Sequence, residues 1–225
     1  SLIRENHKVD FSFYKKTTIL RRLERRMTIN HKDGLKEYVS FIESNHREIS
    51  SLYQEFLIGV TSFFRDEEAF HLLAENYLPD LLKKKSNEEI RFWVVGCSTG
   101  EEAYSLAILC KEIINRYKLK TDIKIFATDI DSSAIIKAGS GIYPFSIAAD
   151  VNKQLLSKYF IPKGESFQIS REIREMVVFA QHNIIKDPPF TNITFLSCRN
   201  LLIYLQTNLQ QRALDGYFQP VARGH

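Results

Sequence analysis

Apolar residues recur at helical spacing through the first third of the chain. Leu35, Tyr38, Val39 and Ile42 share one face, and Leu52, Phe56 and Val60 share another. Helix breakers are sparse: between Ser1 and Arg91 there are only Pro79, Gly34 and Gly59. The pattern predicts a helical domain over residues 1–85, followed by a charged, polar linker from Lys83 to Glu89. Then the period changes. Arg91-Phe92-Trp93-Val94-Val95 is rich in strand formers and ends at Gly96. A helix is expected from Glu101 to Tyr117, and a second strand from Ile123 to Ala127, closed by Thr128-Asp129. Ser132 is placed to cap a helix over residues 133–137. Further strands are expected at residues 176–179 and 193–197. Strands alternating with helices predict an α/β domain with a parallel, helix-flanked sheet over residues 86–225.

The chain's 225 residues are 44% hydrophobic and 26% charged, as in ordinary globular proteins. No apolar run approaches the roughly 18 residues of a membrane span, and Ser1 to Asp10 holds no apolar signal core. Cys97, Cys110 and Cys198 are odd in number and widely spaced, which argues against a disulfide framework and for a reducing, cytoplasmic setting. No Cys/His spacing matches a zinc site, so no metal is expected. Charge is uneven. Residues 1–26 hold eight basic and three acidic groups, an excess of five against +4 for the whole chain. On a helical wheel Arg21, Arg22, Arg25 and Arg26 span an arc of about 140°, opposite Ile19, Leu20, Leu23 and Met27. Only Glu24 is available for pairing inside the run. A solvated charged face is the plainer reading; docking to an acidic surface accounts better for four unneutralised guanidiniums. No nucleic-acid motif or aromatic interleaving accompanies them.

The segment FWVVGCSTGEE (92–102) reads as strand, turn and helix start, with Gly96 and Gly100 bracketing the turn. It lacks the Gly-Lys-Ser/Thr of a phosphate loop and the G-x-G-x-x-G of dinucleotide sites, which argues against an NAD-linked oxidoreductase. Asp129, ending the second strand, is placed to accept hydrogen bonds from ribose hydroxyls; its plainer role is a helix cap or turn residue. A glycine turn without a phosphate-binding lysine, together with a ribose acid, fits a nucleoside without pyrophosphate. S-adenosylmethionine is such a ligand.

Five segments carry a family resemblance: YKKTTILRRLERRM (14–27), VTSFFRDEEAF (60–70), FWVVGCSTGEEAYSLAI (92–108), FATDIDSSAIIKAGSGIY (126–143) and CRNLLIYL (198–205). In this order they resemble the chemotaxis receptor methyltransferase (CheR) family. The DPPF run (187–190) is similar to members fused to regulatory or sensory domains, which implies a piece of a larger protein. The resemblance implies a small all-α domain before a Rossmann-like domain that binds S-adenosylmethionine and leaves S-adenosylhomocysteine. The implied reaction esterifies glutamates on the cytoplasmic helices of a chemoreceptor, with the basic helix docking an acidic helical region. A monomer is expected.

By the resemblance, Thr61 and Arg65 of T-x-F-F-R reach the cofactor, with Gly59 standing where the family often has Asn. Glu102 is the acid after the glycine turn at Gly96, Asp129 the ribose acid, and Asn183 with Ile184 lies near the adenine. Arg199 and Asn200 complete the cofactor set, and Tyr204 lies near the transferred methyl. Arg65 holds either the cofactor's methionine carboxylate or the substrate's; Tyr204 either positions the acceptor oxygen or lines the methyl path. Plainer roles exist for each. Phe63 and Phe64 read as core, Arg65 as an ion pair with Asp66 or Glu68, and Tyr204 as a core tyrosine. Cys97 and Cys198 read as packing residues and His182 as a pocket wall. A small antiparallel ribbon is expected within residues 155–180. The family's closing β-hairpin follows the C-R-N segment; the sequence stops soon after the run Asp215 to Pro220, which leaves two expectations open, a sheet without that edge or further residues beyond its end. The competing reading is a sensory module that binds the cofactor without turnover.

Overall fold

The computed structural model describes residues 2–7, 9–57, 59, 61–85, 88–207 and 210. The expectations for Val60 and for residues 215–220 lie outside them. The chain divides into two compact units, residues 1–58 with 200–225, and residues 59–199.

The helical unit contains α1 (Leu2–His7), α2 (Lys16–Ile29), α3 (Leu35–Glu43) and α4 (His46–Phe56). The predicted spacing holds in part: Tyr38, Ile42, Leu52 and Phe56 are buried, joined by Ile49, with Ile19, Leu23 and Met27 of α2 packed on them, whereas Leu35 and Val39, placed on the same face by their spacing, are 51% and 38% exposed. Asn45 caps α4, its side-chain oxygen accepting the Glu48 N–H at 3.1 Å. Beyond α4, the irregular tail of this unit bridges Leu205 to Tyr14.

The basic face of α2 differs from the expectation. Leu20, placed on the apolar side by the wheel, is 51% exposed. Three arginines are paired across to α4. Arg26 holds Glu48 through Nε at 2.9 Å and Nη2 at 2.6 Å, and the buried Tyr38 hydroxyl donates to the same carboxylate at 2.6 Å. Arg22 and Arg25 both donate to Glu55 Oε1, at 3.1 and 2.9 Å. The neutralising carboxylates come not from within the run but from a helix 22 to 33 residues later. Arg21 remains exposed.

The second unit begins with the loop 61–66, then α5 (Glu67–Leu72) and α6 (Leu78–Lys84). β1 (Glu89–Val95), α7 (Glu101–Tyr117), β2 (Asp122–Asp129) and α8 (Ser132–Ser140) follow. Next come β3 (Ile142–Pro144), α9 (Lys153–Tyr159), β4 (Phe160–Lys163), β5 (Ser166–Ile169), α10 (Arg171–Arg174), β6 (Val177–Gln181) and β7 (Phe195–Ser197). The main sheet has the order β6-β2-β1-β7, every pairing parallel. Alternate β1 residues Ile90, Phe92 and Val94 are wholly buried in one core with Ala103, Leu106, Ala107 and Cys110 of α7. Burial on both faces explains why β1 reads as a continuous apolar run.

Phe63, Phe70, Leu78 and Leu82 belong to this same core. That packing places residues 59–85 with the sheet, so the units divide at residue 58 rather than at 85. Asp131, not Ser132, caps α8, its Oδ1 accepting the Ser133 N–H at 2.9 Å. The expected ribbon is a three-stranded antiparallel sheet, β3-β5-β4, which recruits residues 142–144 from upstream. Residues 177–181 pair with β2 in the main sheet instead. Among the described residues no helix is long and apolar enough to cross a membrane.

Burial alone would raise the Glu48 pKa, but the Arg26 and Tyr38 hydrogen bonds outweigh it and hold the carboxyl below its usual range. A depressed folded-state pKa stabilises above the unfolded value and is lost as pH falls through the folded one. The acid limb of stability below about pH 4.5 is therefore expected to be shallower in Glu48→Gln than in the parent chain. At neutral pH that variant, which leaves Arg26 unpaired, should lose about 3 kcal/mol. Denaturant midpoints from pH 3 to 7 test this; parallel acid limbs would contradict it.

Candidate functional site

In an open parallel sheet the carboxyl ends of the strands form the ligand-binding edge, with the crevice where strand order reverses. Here the chain moves outward from β1 through β2 to β6, then returns to β7 on the other side of β1. The reversal lies between β1 and β7, and most of the predicted site residues sit on that carboxyl edge.

The turn after β1 is built by the backbone. The Gly96 and Cys97 N–H groups donate to the Thr128 carbonyl at 2.8 and 2.9 Å, tying the turn to the end of β2. Gly96, Ser98 and Gly100 take positive φ, and Tyr143 of β3 donates to the Thr99 carbonyl at 2.6 Å. Gly100 serves packing. At φ +94° a Cβ there would stand 2.9 Å from Ala138 Cβ and 3.0 Å from the Phe179 ring. α7 therefore starts pressed against α8 and β6, and glycine alone permits the approach.

Asp129 is partly buried at the end of β2. Its Oδ2 accepts the Ser98 N–H at 2.7 Å and its Oδ1 the Asp131 N–H at 3.0 Å. Burial pushes its pKa up while these backbone donors pull it down, and the net is a rise. Asp129 is thus the acid that joins the β1 turn to the β2 turn, and the capping role falls to Asp131. Glu102, in the first turn of α7, accepts the Ser197 hydroxyl at 2.5 Å and lies 3.6 Å from Arg199 Nη1. Burial raises its pKa against the lowering pull of Ser197, Arg199 and Arg65. Its neighbour Glu101, which the sequence reading passed over, is also buried and accepts the Thr99 hydroxyl at 2.7 Å. The adjacent acids were visible in the sequence; that both turn inward was not.

The loop 61–66 is anchored at several points. Thr61 is partly exposed at its start. Phe63 is buried edge-on against Tyr143 and Phe160, as its reading as core required. The Phe64 N–H donates to Ser105 Oγ at 2.9 Å. Phe64 and Asp66 both take left-handed backbone conformations, at φ 51° and 59°. Arg199 reaches over from the end of β7. Its Nη2 donates to the Arg65 carbonyl at 2.8 Å and to Asp66 Oδ2 at 2.6 Å, and its guanidinium carbon lies 5.3 Å from the Phe70 ring centre. Asp66 is thus paired with Arg199.

Asn183 forms a turn of its own after β6. Its Oδ1 accepts the Ile185 N–H at 3.0 Å, and its N–H donates to Asp187 at 2.7 Å; Ile184 lies within that turn, partly buried. His182 stands edge-on to Trp93, with ring centres 5.4 Å apart. Cys97 is buried, and burial pushes the Cys198 thiol up to about 11, so both stay protonated at neutral pH. The structure thus gathers Arg65, Glu102 and Arg199 in one cluster, and Gly96 with Asp129 in another on the same sheet edge. Asn200, at φ 59°, and Tyr204 belong to the helical unit, where the Tyr204 carbonyl accepts the Lys15 N–H at 2.9 Å.

Gly100→Ala is expected to cost about 2 kcal/mol or more, from left-handed strain and the Ala138 contact. Gly139→Ala, inside α8 with nothing within 4 Å of its Cβ, is the matched control and should be neutral or stabilising. Thermal unfolding of the pair tests this; equal midpoints would overturn the packing role of Gly100.

The model of the CheR methyltransferase SAM-binding domain, SAM being S-adenosylmethionine, matches residues 59–223. The model of the CheR methyltransferase all-alpha domain matches residues 1–57. Among similar curated proteins, an uncharacterized 104.1 kDa protein from the hypE 3′ region of Rhodobacter capsulatus is 41% identical over 96% of this chain and 23% of its own length. The chemotaxis protein methyltransferase of Borreliella burgdorferi is 32% identical over 90% of this chain and 75% of its own. That of Salmonella typhimurium is 30% identical over 89% of this chain and 70% of its own. The chain therefore spans about a quarter of the first relative and roughly three quarters of the other two. With both domain models matched in succession across nearly all its length, the chain belongs to the CheR methyltransferase family.

Proposed function

We propose that this chain transfers the methyl group of S-adenosylmethionine to glutamate carboxylates of chemoreceptors or related signalling proteins, giving glutamyl methyl esters. The observation that carries this reading is the acceptor set on the sheet edge. Two partly buried carboxylates, Glu102 and Asp129, stand by a glycine turn that has no phosphate-binding lysine. Such a set repels a pyrophosphate and suits hydroxyl and ammonium donors, which the methionine nucleoside carries. Relatives named as methyltransferases favour turnover over mere binding.

In this reading Asp129 takes the ribose hydroxyls, Glu102 the ammonium and Arg65 the carboxylate, while Thr61, Asn183 and Ile184 complete the wall. The bound cofactor supplies an electrophilic methyl group on a sulfonium. The acceptor glutamate, with a pKa of about 4.3, is already ionised at neutral pH, so no general base is required. The chain's contribution is alignment, and attraction that is not wasted on the ground state. Cysteines that are all free thiols, and receptor acceptor helices that lie in the cytoplasm in this family, favour a cytoplasmic setting. For an acidic partner helix, Arg21 and the outer edge of Arg25, whose side chain is 61% exposed, are the available cations. Arg22 and Arg26 are committed to Glu55 and Glu48.

Incubation with radiolabelled cofactor and a receptor cytoplasmic fragment should yield label that alkali releases as methanol; base-stable label would sink the esterification. Tyr204→Phe is expected to lower turnover more than cofactor affinity, and equal losses would remove its acceptor-side role. Arg21→Glu should slow methylation of the fragment about fivefold in low salt, with less effect in high salt and none on cofactor affinity. A salt-independent loss would contradict docking through charge.

A further inference from the structure

The ion pair between Arg199 and Asp66 stands apart from ordinary surface pairs. Arg199 is mostly buried, its side chain 22% exposed, and it engages four groups from three segments: the Arg65 carbonyl, the Asp66 carboxylate, the Phe70 ring and Glu102. Glu102 is held in turn by Ser197, two residues before Arg199. On the other side, Asp66 adopts a left-handed conformation, which aspartate tolerates, while Phe64 two residues before it adopts one that a bulky residue takes only when its surroundings impose it. The contacts from Arg199 to the Arg65 carbonyl and the Asp66 carboxylate brace the Asp66 end of this pair. Arg65 lies between two left-handed residues, Phe64 and Asp66, so the direction of its side chain depends on both being held. Ser105 holds Phe64 and Arg199 holds Asp66.

We propose that Arg199 and Asp66 form a latch, with Asp66 a positioning residue that acts through Arg65. The latch fixes the backbone at Arg65, so that its guanidinium and the Glu102 carboxylate meet the methionine end of the cofactor together. This rests on the cofactor assignment made above and adds a group that assignment does not contain. It also changes what Arg199 does: its guanidinium is spent on the protein, chiefly on the loop 65–66.

The assignment makes Asp66 separable from a plain stability role, because its side chain is 59% exposed and its replacement leaves the core intact. Calorimetry on the full chain with S-adenosylmethionine and S-adenosylhomocysteine, for Asp66→Asn, Arg65→Gln and the double variant, tests it. Asp66→Asn is expected to weaken both ligands about fivefold. The product lacks the sulfonium charge, so equal weakening excludes a through-space effect of the lost carboxylate on that charge. In the Arg65→Gln background the same substitution should have almost no further effect, because the group it positions is gone. Asp66→Glu, which keeps the charge, should recover part of the affinity. Unchanged binding in Asp66→Asn, losses confined to S-adenosylmethionine, or additive losses in the double variant would each overturn the latch. A parent chain that binds neither ligand would instead overturn the cofactor assignment, and the latch with it.

Discussion

The parallel pairing of β1 with β2 is the constraint on which the rest of the site depends. Its register runs from Glu89 opposite Asp122 to Val95 opposite Thr128, so both strands end at the same level. That level places the Thr128 carbonyl under the Gly96 and Cys97 amides, and the Asp129 carboxylate against the Ser98 amide. Trp93 reinforces it from within the sheet, its indole N–H donating to Thr128 Oγ1 at 2.9 Å. A one-residue slip would invert every side chain between the faces. It would bury Arg91 and Lys124 in place of Phe92 and Ile125, and separate the turn from its acid. Hydrophobic burial thus decides the register, and the register decides the chemistry.

The site concentrates charge where solvent is thin. Glu101, Glu102 and Asp129 all have pKa values pushed up by burial. Each is offset locally, by Thr99, by Ser197 with Arg199 and Arg65, and by backbone amides. Carboxylates held in this way are oriented before a ligand arrives, so little reorganisation remains to be done on binding. The helical unit uses the same device for another purpose. There Glu48 and Glu55 receive the arginines of α2 and fasten that helix to α4. Two features that look alike in the sequence, acids near basic or glycine-rich runs, end in different settings: oriented at the sheet edge in one unit, and paired across helices in the other.

Much of this was legible from the chain alone. β1 and β2 announce themselves as short runs of strand formers closed by Gly96 and Asp129, and α7 follows with the predicted bounds. Part of the core faces of α3 and α4 follows from their 3.6-residue period, through Tyr38, Ile42, Leu52 and Phe56, while Leu35 and Val39 stay exposed. Less legible were features that depend on partners remote in sequence. The arginines of α2 could be counted, but Glu48 and Glu55, which neutralise three of them, sit 22 to 33 positions away. Residues 59–85 read as part of the helical domain that precedes them, yet Phe70, Leu78 and Leu82 share a core with β1 and α7.

By itself, the sequence determined the elements, the parallel α/β class, the glycine turn and the acids beside it, because local period and backbone preference are written in neighbouring residues. Only the tertiary structure decided that Gly100 is required by the closeness of Ala138 and Phe179, that Arg199 turns inward onto Asp66, and that the basic face of α2 is largely spent on α4. Those outcomes depend on which side chains meet after the chain has folded back on itself, and the free energy of an ion pair or a close approach has no local signature from which it can be read.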